Sequence, residues 1–261
     1  VLWCGLFCTV SYAATVDGLY EAEIVAANQS DSERNRLLPL ALRQVLVKVT
    51  GAHQLMPEVE SQLLPQATRF VQQFRFRNNP EWAEYQAELR RVAETPSWEA
   101  TEESEVSEAI ESEMLPPEPY LLAVQFDPQM INRALGELSV PIWGKERPAL
   151  LLWLVIDDHG SRGVVGGDAL LELQSQIKQH AKQRGVPVWL PMYDFQDTST
   201  VMVSDLWGNF AESIIDASQR YQPDVIVLGR VQRLPRQGWQ FRWNVSDATG
   251  QTASYGDAEL L

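Results

Sequence analysis

The chain has 261 residues, 45% of them apolar, and carries 35 acidic against 21 basic side chains for a formal net charge of −14. That is enough apolar material for one large or two modest cores, and it excludes global disorder. The acidic balance argues against nucleic acid and against a polybasic membrane patch, since both need a positive surface.

The chain opens with VLWCGLFCTVSYAATVDG. Leu2 to Val10 is a short apolar core, and Ser11-Tyr12-Ala13 sets small residues at the −3 and −1 positions of a cut before Ala14. This reads as the later part of a secretory signal peptide, residues 1–13, too short to span a bilayer. The other reading is a buried apolar strand. A start Met and basic n-region are missing, so the chain is expected to be trimmed at its front. Cys4 and Cys8 follow Trp3 and Phe7, where a lipoprotein cleavage site needs a small residue, so the expected product is a periplasmic protein and not a lipoprotein. Residues 14–261 then hold no cysteine, disulfide or thiol nucleophile, which suits an oxidising compartment.

An α+β domain is expected over 14–144. LYEAEIVA (19–26) alternates Tyr20, Ala22 and Ile24 with Glu21 and Glu23, the period of a half-buried strand. Ser30-Asp31-Ser32-Glu33 is a capping box, with Glu33 able to reach back. Leu37, Leu38, Ala41, Val45 and Val49 follow at helical spacing until Gly51, with Pro39 expected to kink the run. A helix from Pro57, a break or restart at Pro65, and a strand QQFRFR (72–77) come next, with Phe74 and Phe76 facing inward. Residues 79–118 form an acidic, flexible insertion whose first part, Pro80 to Ala93, is helical in pattern. Glu94 to Glu118 holds nine glutamates and no Lys or Arg, and a variable solvated loop explains it more simply than an acidic docking tail. YLLAVQFD (120–127) is a strand, and Asp127-Pro128 caps a helix striped by Ile131, Ala134, Leu135 and Leu138.

An α/β domain is expected over 145–261, with βαβαβ order, an antiparallel hairpin and helices on both faces of a parallel sheet. Its first strand is RPALLLWLVIDD (147–158), whose nine apolar or proline residues are too few for a membrane span. Leu170, Leu173, Ile177 and Ala181 mark a helix to Gly185, and VPVWLPMYD (186–194) is the second strand. Leu206, Phe210, Ile214, Ala217 and Tyr221 mark one helix, DVIVLGRVQ (224–232) the third strand, and WQFRWNVSD (239–247) an antiparallel edge strand. The tail after Gly250 ends without a natural finish, so it too is expected to be cut.

Ligands gather at the carboxyl ends of strands in such sheets. Those ends hold Asp157 and Asp158, then Asp194 with Asp197 nearby, then Arg230. Convergent carboxylates there would take a hard divalent cation or serve as general acid and base. Aspartate also simply ends strands and caps helices, and that ordinary role is preferred. Asp157 and Asp158 cannot share a direction while the strand persists. The loop DDHGSRGVVGGD (157–168) is a weak candidate for anion binding, without a Walker lysine or a dinucleotide fingerprint; its glycines fit a flexible turn. His53, His159 and His180 stand alone, no zinc spacing or nucleophile elbow occurs, and no cofactor or metal is expected. The stripe Trp239, Phe241 and Trp243 is core at period two, or a partner face if exposed.

The phrases LYEAEIVA, ALRQVLVKVTG, FVQQFRFR, PYLLAVQFD, PIWGKERPALLLWLVIDD, RGVPVWLPMYD and PDVIVLGRV resemble an exported proteobacterial family, domain of unknown function 2066. The resemblance covers about residues 17 to 258, and Pro39 departs from the smoother helix expected there. It implies export and transfers no catalytic residue. At fold level the second half is similar to the α/β domain of the lipoprotein activators of penicillin-binding proteins, the curli secretion lipoprotein and the amino-terminal domain of the Tol-system propeller. The first half resembles the amino-terminal domain of a flagellar-ring periplasmic protein. These likenesses imply assembly and interaction. The expectation is therefore a non-catalytic interaction or accessory protein of the cell envelope, its partner an envelope protein or cell-wall component, with no transmembrane span in the mature chain. The alternative is a cation-dependent hydrolase or small-ligand-binding protein built on the strand-end carboxylates.

Overall fold

The structure, a computed structural model, describes residues 14–94, 116–235 and 238–260. The expected leader (1–13) and the larger part of the acidic insertion (95–115) lie outside the described residues. The protein is mixed α/β, with helices and several sheets. It divides into two compact units, one of residues 18–143 and one of residues 144–260 joined by residues 14–17. Strand β1 (Ala14–Thr15) belongs to the latter. Among the described residues, no helix is long and apolar enough to cross a membrane.

In the unit of residues 18–143, β2 (Glu21–Ala26) is followed by α1 (Asp31–Thr50), α2 (Pro57–Leu63), a 3₁₀ turn (Leu64–Gln66), α3 (Ala67–Phe70), β3 (Val71–Asn78), α4 (Pro80–Glu94), β4 (Tyr120–Phe126) and α5 (Pro128–Glu137). The antiparallel sheet has the order β2-β4-β3. Ala22 and Ile24 stand opposite Val124 and Leu122, which are also the partners of Phe74 and Phe76. Those residues share one face, and α1 buries Leu37, Leu38, Ala41, Leu42, Val45, Leu46 and Val49 in the core of this unit.

The start of α1 departs from the expected capping box in one bond. Ser30 Oγ accepts from Glu33 N, but Glu33 reaches past Ser30 to the Ala27 amide, while Ser30 N donates to Asn28. Arg36 forks onto the Glu33 carboxylate at 2.8 and 2.7 Å and, with the Ala27 amide, holds its pKa at about 2. The helix continues through Pro39, since the carbonyl left over by the missing N–H belongs to exposed Asn35 and water can satisfy it. Phe74 corrects its expectation. It lies on the inward face but on edge strand β3, so it stays 41% exposed, with the Arg34 guanidinium 4.8 Å from its ring.

In the other unit, β1 pairs antiparallel with β5 (Glu146–Arg147). The main sheet is built from β6 (Leu150–Asp158), β7 (Ser161–Val164), β8 (Val188–Trp189), β9 (Val225–Arg233), β10 (Trp239–Asp247) and β11 (Thr252–Leu260). Its order is β11-β10-β9-β6-β7, with β8 along the first residues of β6 and β7 along its last. Only the β6–β9 and β6–β8 pairs are parallel, so the sheet is mixed. The helices are α6 (Leu171–Arg184), α7 (Phe195–Thr200), α8 (Val203–Gly208) and α9 (Ala211–Ser218). One face of β6 and β9 carries Leu151, Trp153, Val155, Ile226 and Leu228, which pack with Val201, Leu206, Ile214 and Ala217 into the core. Trp153 is fully buried and its indole N–H donates to Ser218 Oγ at 2.9 Å.

Four expectations for this unit change. The glycine loop 157–168 is mainly a β6–β7 hairpin, turning at His159 and Gly160 with φ of 53° and 89°, the positive values a tight hairpin demands. The strand at 186–194 shrinks to Val188–Trp189, because Pro187 and Pro191 flank it and cannot donate to a ladder. The single helix expected from Leu206 to Tyr221 breaks where Asn209 turns left-handed at φ 58°, which leaves Phe210 58% exposed. Finally, β10 is covered on its outer side by β11, which takes the edge.

Candidate functional site

Asp157 and Asp158 end β6 on opposite faces, as strand alternation requires. Asp157 is buried and stands opposite Arg162 on β7, accepting from Arg162 Nε and Gly160 N at 2.8 Å each. The Arg162 bond, then the Gly160 amide, holds its carboxyl below the ordinary range. Asp158 is exposed and meets Arg233 at 3.3 Å.

Asp194 caps α7, accepting from the amides of Gln196 and Asp197 and from both terminal nitrogens of Arg220 at 2.7 and 3.1 Å. The Arg220 contact is the largest reason that its pKa falls to about 2. Asp197, one turn on, is fully buried. It accepts from Tyr193 N at 2.8 Å, Tyr221 Oη at 2.5 Å and Arg220 Nη1 at 3.1 Å. Burial and this bond push the Tyr221 phenol up to about 12, so Tyr221 stays a neutral donor at physiological pH. Its oxygen in turn accepts from Met192 N at 2.9 Å. A cleft of about 360 Å³ lies beside this network, lined by Gln196, Thr200, Asp216 and Gln219 with Asp197 and Arg220. The network is a clamp: it pins the 192–194 turn, where Tyr193 sits at φ 47°, to the end of α9 and the turn that follows it. Asp194 and Asp197 were readable as a pair one turn apart; Arg220 and Tyr221, more than twenty residues later, carried no local signal.

Arg230 lies inside β9 and not at its end. It donates from Nη1 to Trp207 O at 3.1 Å and from Nη2 to Asn244 Oδ1 at 3.0 Å. The strand-end residues are thus not brought together. Asp157, Asp158 and Asp194 each engage a different arginine. Among the described residues no group of three His, Cys, Asp or Glu could hold a metal ion. A cation site or general base on this rim would first have to break an ion pair.

The aromatic stripe is half-buried. Arg233 covers Trp239 at 5.3 Å, and Phe241 stacks on Trp243 with centroids 5.4 Å apart. Exposed apolar side chains of this unit also stand at helix entries: Leu170 and Leu171 where the chain enters α6, Met192 and Phe195 where it enters α7, and Met202 ahead of α8, while Trp189 on β8, Phe210 ahead of α9 and Tyr255 on β11 are exposed too. Leu170 and Leu171 are 46% and 62% exposed; Met192, Phe195 and Met202 are 54%, 88% and 61%. The two loops that enter α6 and α7 are stiffened by close backbone approach. A Cβ on Gly166 would lie 2.6 Å from Pro191 O, and one on Gly167, at φ 53°, 2.6 Å from Met192 O. These glycines serve packing, where flexibility was the expectation.

Residues 13–144, half of the chain, match the family described as Domain of unknown function (DUF8605). The chain belongs to that family. No curated protein matches it. Among solved structures it is similar to the LpoB C-terminal domain from Salmonella enterica, at 11% identity and a TM-score of 0.30, covering 43% of this chain and 82% of that one. It is likewise similar to the LpoB C-terminal domain from Escherichia coli, at 8% identity and a TM-score of 0.28, covering 44% and 82%. Likeness at that level transfers no role. The DUF8605 match ends at residue 144, so the carboxylate clamp and the exposed loops lie outside it.

Proposed function

We propose that this DUF8605 protein is a non-catalytic interaction or accessory protein of the cell envelope, working in the periplasm, with an envelope protein or cell-wall component as its partner. The observation that carries the reading is the set of exposed apolar side chains on and beside two stiffened loops: Leu170 and Leu171 at the entry to α6, Met192 and Phe195 at the entry to α7, and Met202 ahead of α8. Single exposed apolar residues are ordinary, but several on adjoining loops suit a partner surface. Each of the two loops also holds one residue in left-handed backbone, Leu170 at φ 56° and Tyr193, next to Met192, at φ 47°. Such strain persists only where the surroundings enforce it, and it clusters at functional sites. The arginine-paired state of Asp157, Asp158 and Asp194 favours this reading over the cation-dependent hydrolase. Export is supported by the apolar segment before Ala14 and by the lack of cysteine from residue 14 onward. The proposal includes kinship with domain of unknown function 2066, supported by the phrases quoted for it.

The test is a paired variant, Leu171→Ser with Phe195→Ser, in the full chain expressed in its own cells. Size-exclusion profiles of envelope extracts should shift the wild-type chain to a larger complex and leave the variant at the size of the isolated protein, with unchanged melting. Wild type and variant eluting alike would refute the loops as the partner surface.

A further inference from the structure

We propose that the β9–β10 rung at Arg230 and Arg242 is a binding site for a small oxyanion, a phosphate or carboxylate group held between the two guanidinium groups. Arg230 and Arg242 are direct cross-strand partners. Like charges placed so repel one another and weaken a sheet. Among the described residues, neither has a carboxylate within ion-pair distance, although the chain carries 35 acids. Three of the four same-face neighbours along the two strands are amides, Gln232, Gln240 and Asn244, and the fourth is Leu228.

Arg230 also holds an unspent donor. Its two terminal nitrogens are committed to Trp207 O and Asn244 Oδ1, but its Nε is buried with no acceptor. An unsatisfied buried donor is costly, and it is rare in native proteins without a reason. Burial, then the neighbouring Arg242, pushes the Arg230 guanidinium below its usual range. An arriving oxyanion would answer both problems: one oxygen accepts from Arg230 Nε, another from the exposed Arg242, and the negative charge cancels the repulsion. Asn244 accepts through Oδ1, which leaves its amide nitrogen to donate to the same ligand. Arg162, stacked 4.4 Å from the Trp207 ring, adds positive potential, though Asp157 offsets its charge. One acid competes. Asp257 faces Arg242 across β10–β11, but Arg242 bonds Gln240 Oε1 at 2.8 Å instead.

The experiment follows the arginine Nε–Hε resonances of the full ¹⁵N-labelled chain while sodium phosphate, sodium acetate or sodium chloride is added at matched ionic strength. The Arg230 signal should shift saturably with phosphate or acetate and not with chloride. Tighter phosphate binding identifies a phosphate group, tighter acetate binding a carboxylate. Arg242→Gln, on the exposed strand face, should weaken binding about tenfold, as should Arg230→Lys, which keeps the charge and loses the fork. Asp257→Asn should strengthen it about threefold by removing the competitor. A shift that chloride reproduces is screening alone and overturns the proposal. So does an affinity unchanged in Arg242→Gln, or one weakened in Asp257→Asn.

Discussion

Replacing Asp197 with alanine tests the clamp beneath the exposed loops. The carboxylate is fully buried and accepts three hydrogen bonds, from Tyr193 N, Tyr221 Oη and Arg220 Nη1. Arg220 keeps Asp194 at 2.7 and 3.1 Å, so no charge is stranded and the loss stays below the roughly 3–5 kcal/mol of a buried pair robbed of one partner. The Tyr193 amide and the Tyr221 hydroxyl each lose an acceptor, at about 1–3 kcal/mol apiece for a buried unpaired donor. Tyr221 is only partly buried, which favours the lower half of that range, about 3 kcal/mol in all. For a unit of this size the melting temperature should fall by roughly 10 °C. Near-ultraviolet circular dichroism reads the same event, since Tyr221 meets the ring of Trp153 edge-on at 6.4 Å. Asp197→Asn keeps shape and an acceptor, and should cost about 1 kcal/mol. An alanine variant that melts within about 2 °C of wild type would refute the clamp.

Gly166→Ala should destabilise the same unit by about 1–3 kcal/mol in urea titration, because the new methyl meets the Pro191 carbonyl, which is backbone and cannot swing away. The acid limb of stability has a definite sign. Asp194 and Glu33 are both held at about 2 when folded and titrate near 4 when unfolded. Their contributions are therefore complete above about pH 4.5 and vanish as pH falls toward 2. Asp194→Asn and Glu33→Gln should each flatten the dependence of the urea midpoint over that window, and an unaltered slope would contradict the ion pairs. Mass spectrometry of protein from cells should find a mature chain beginning at Ala14, and residues 1–13 still attached would contradict export.

Much of this architecture was legible because it rests on local rules. The stripe Leu37 to Val49 and the caps at Ser30 and Asp127 act within one or two turns of helix, and β6 and β9 announce themselves as unbroken apolar runs. What escaped depends on contacts across the chain or on single backbone angles. Asn209 breaks a helix that spacing alone carries through Phe210. His159 can take the left-handed turn of a hairpin, yet the glycines that follow it, Gly160, Gly163, Gly166 and Gly167, make the stretch resemble a loop. β10 looked like an edge strand since nothing in its own alternation reveals β11. The same limit governs the sites: Asp194 and Asp197 were visible as neighbours, whereas Arg220 and Tyr221 join them only through folding. Sequence places Arg230 near a strand end, whereas its orphaned Nε arises only once Asn244 and Trp207 take up its terminal nitrogens.

The most direct measurement places a photo-crosslinking amino acid at Phe195 in the full chain, with Val25, an exposed apolar position in the other unit, as control. Irradiation of living cells should give one discrete adduct from position 195, none from position 25, and none from position 195 when Asp197→Ala loosens the loop. Equal adducts from both positions, or no adduct from 195, would contradict a partner-binding role for these loops.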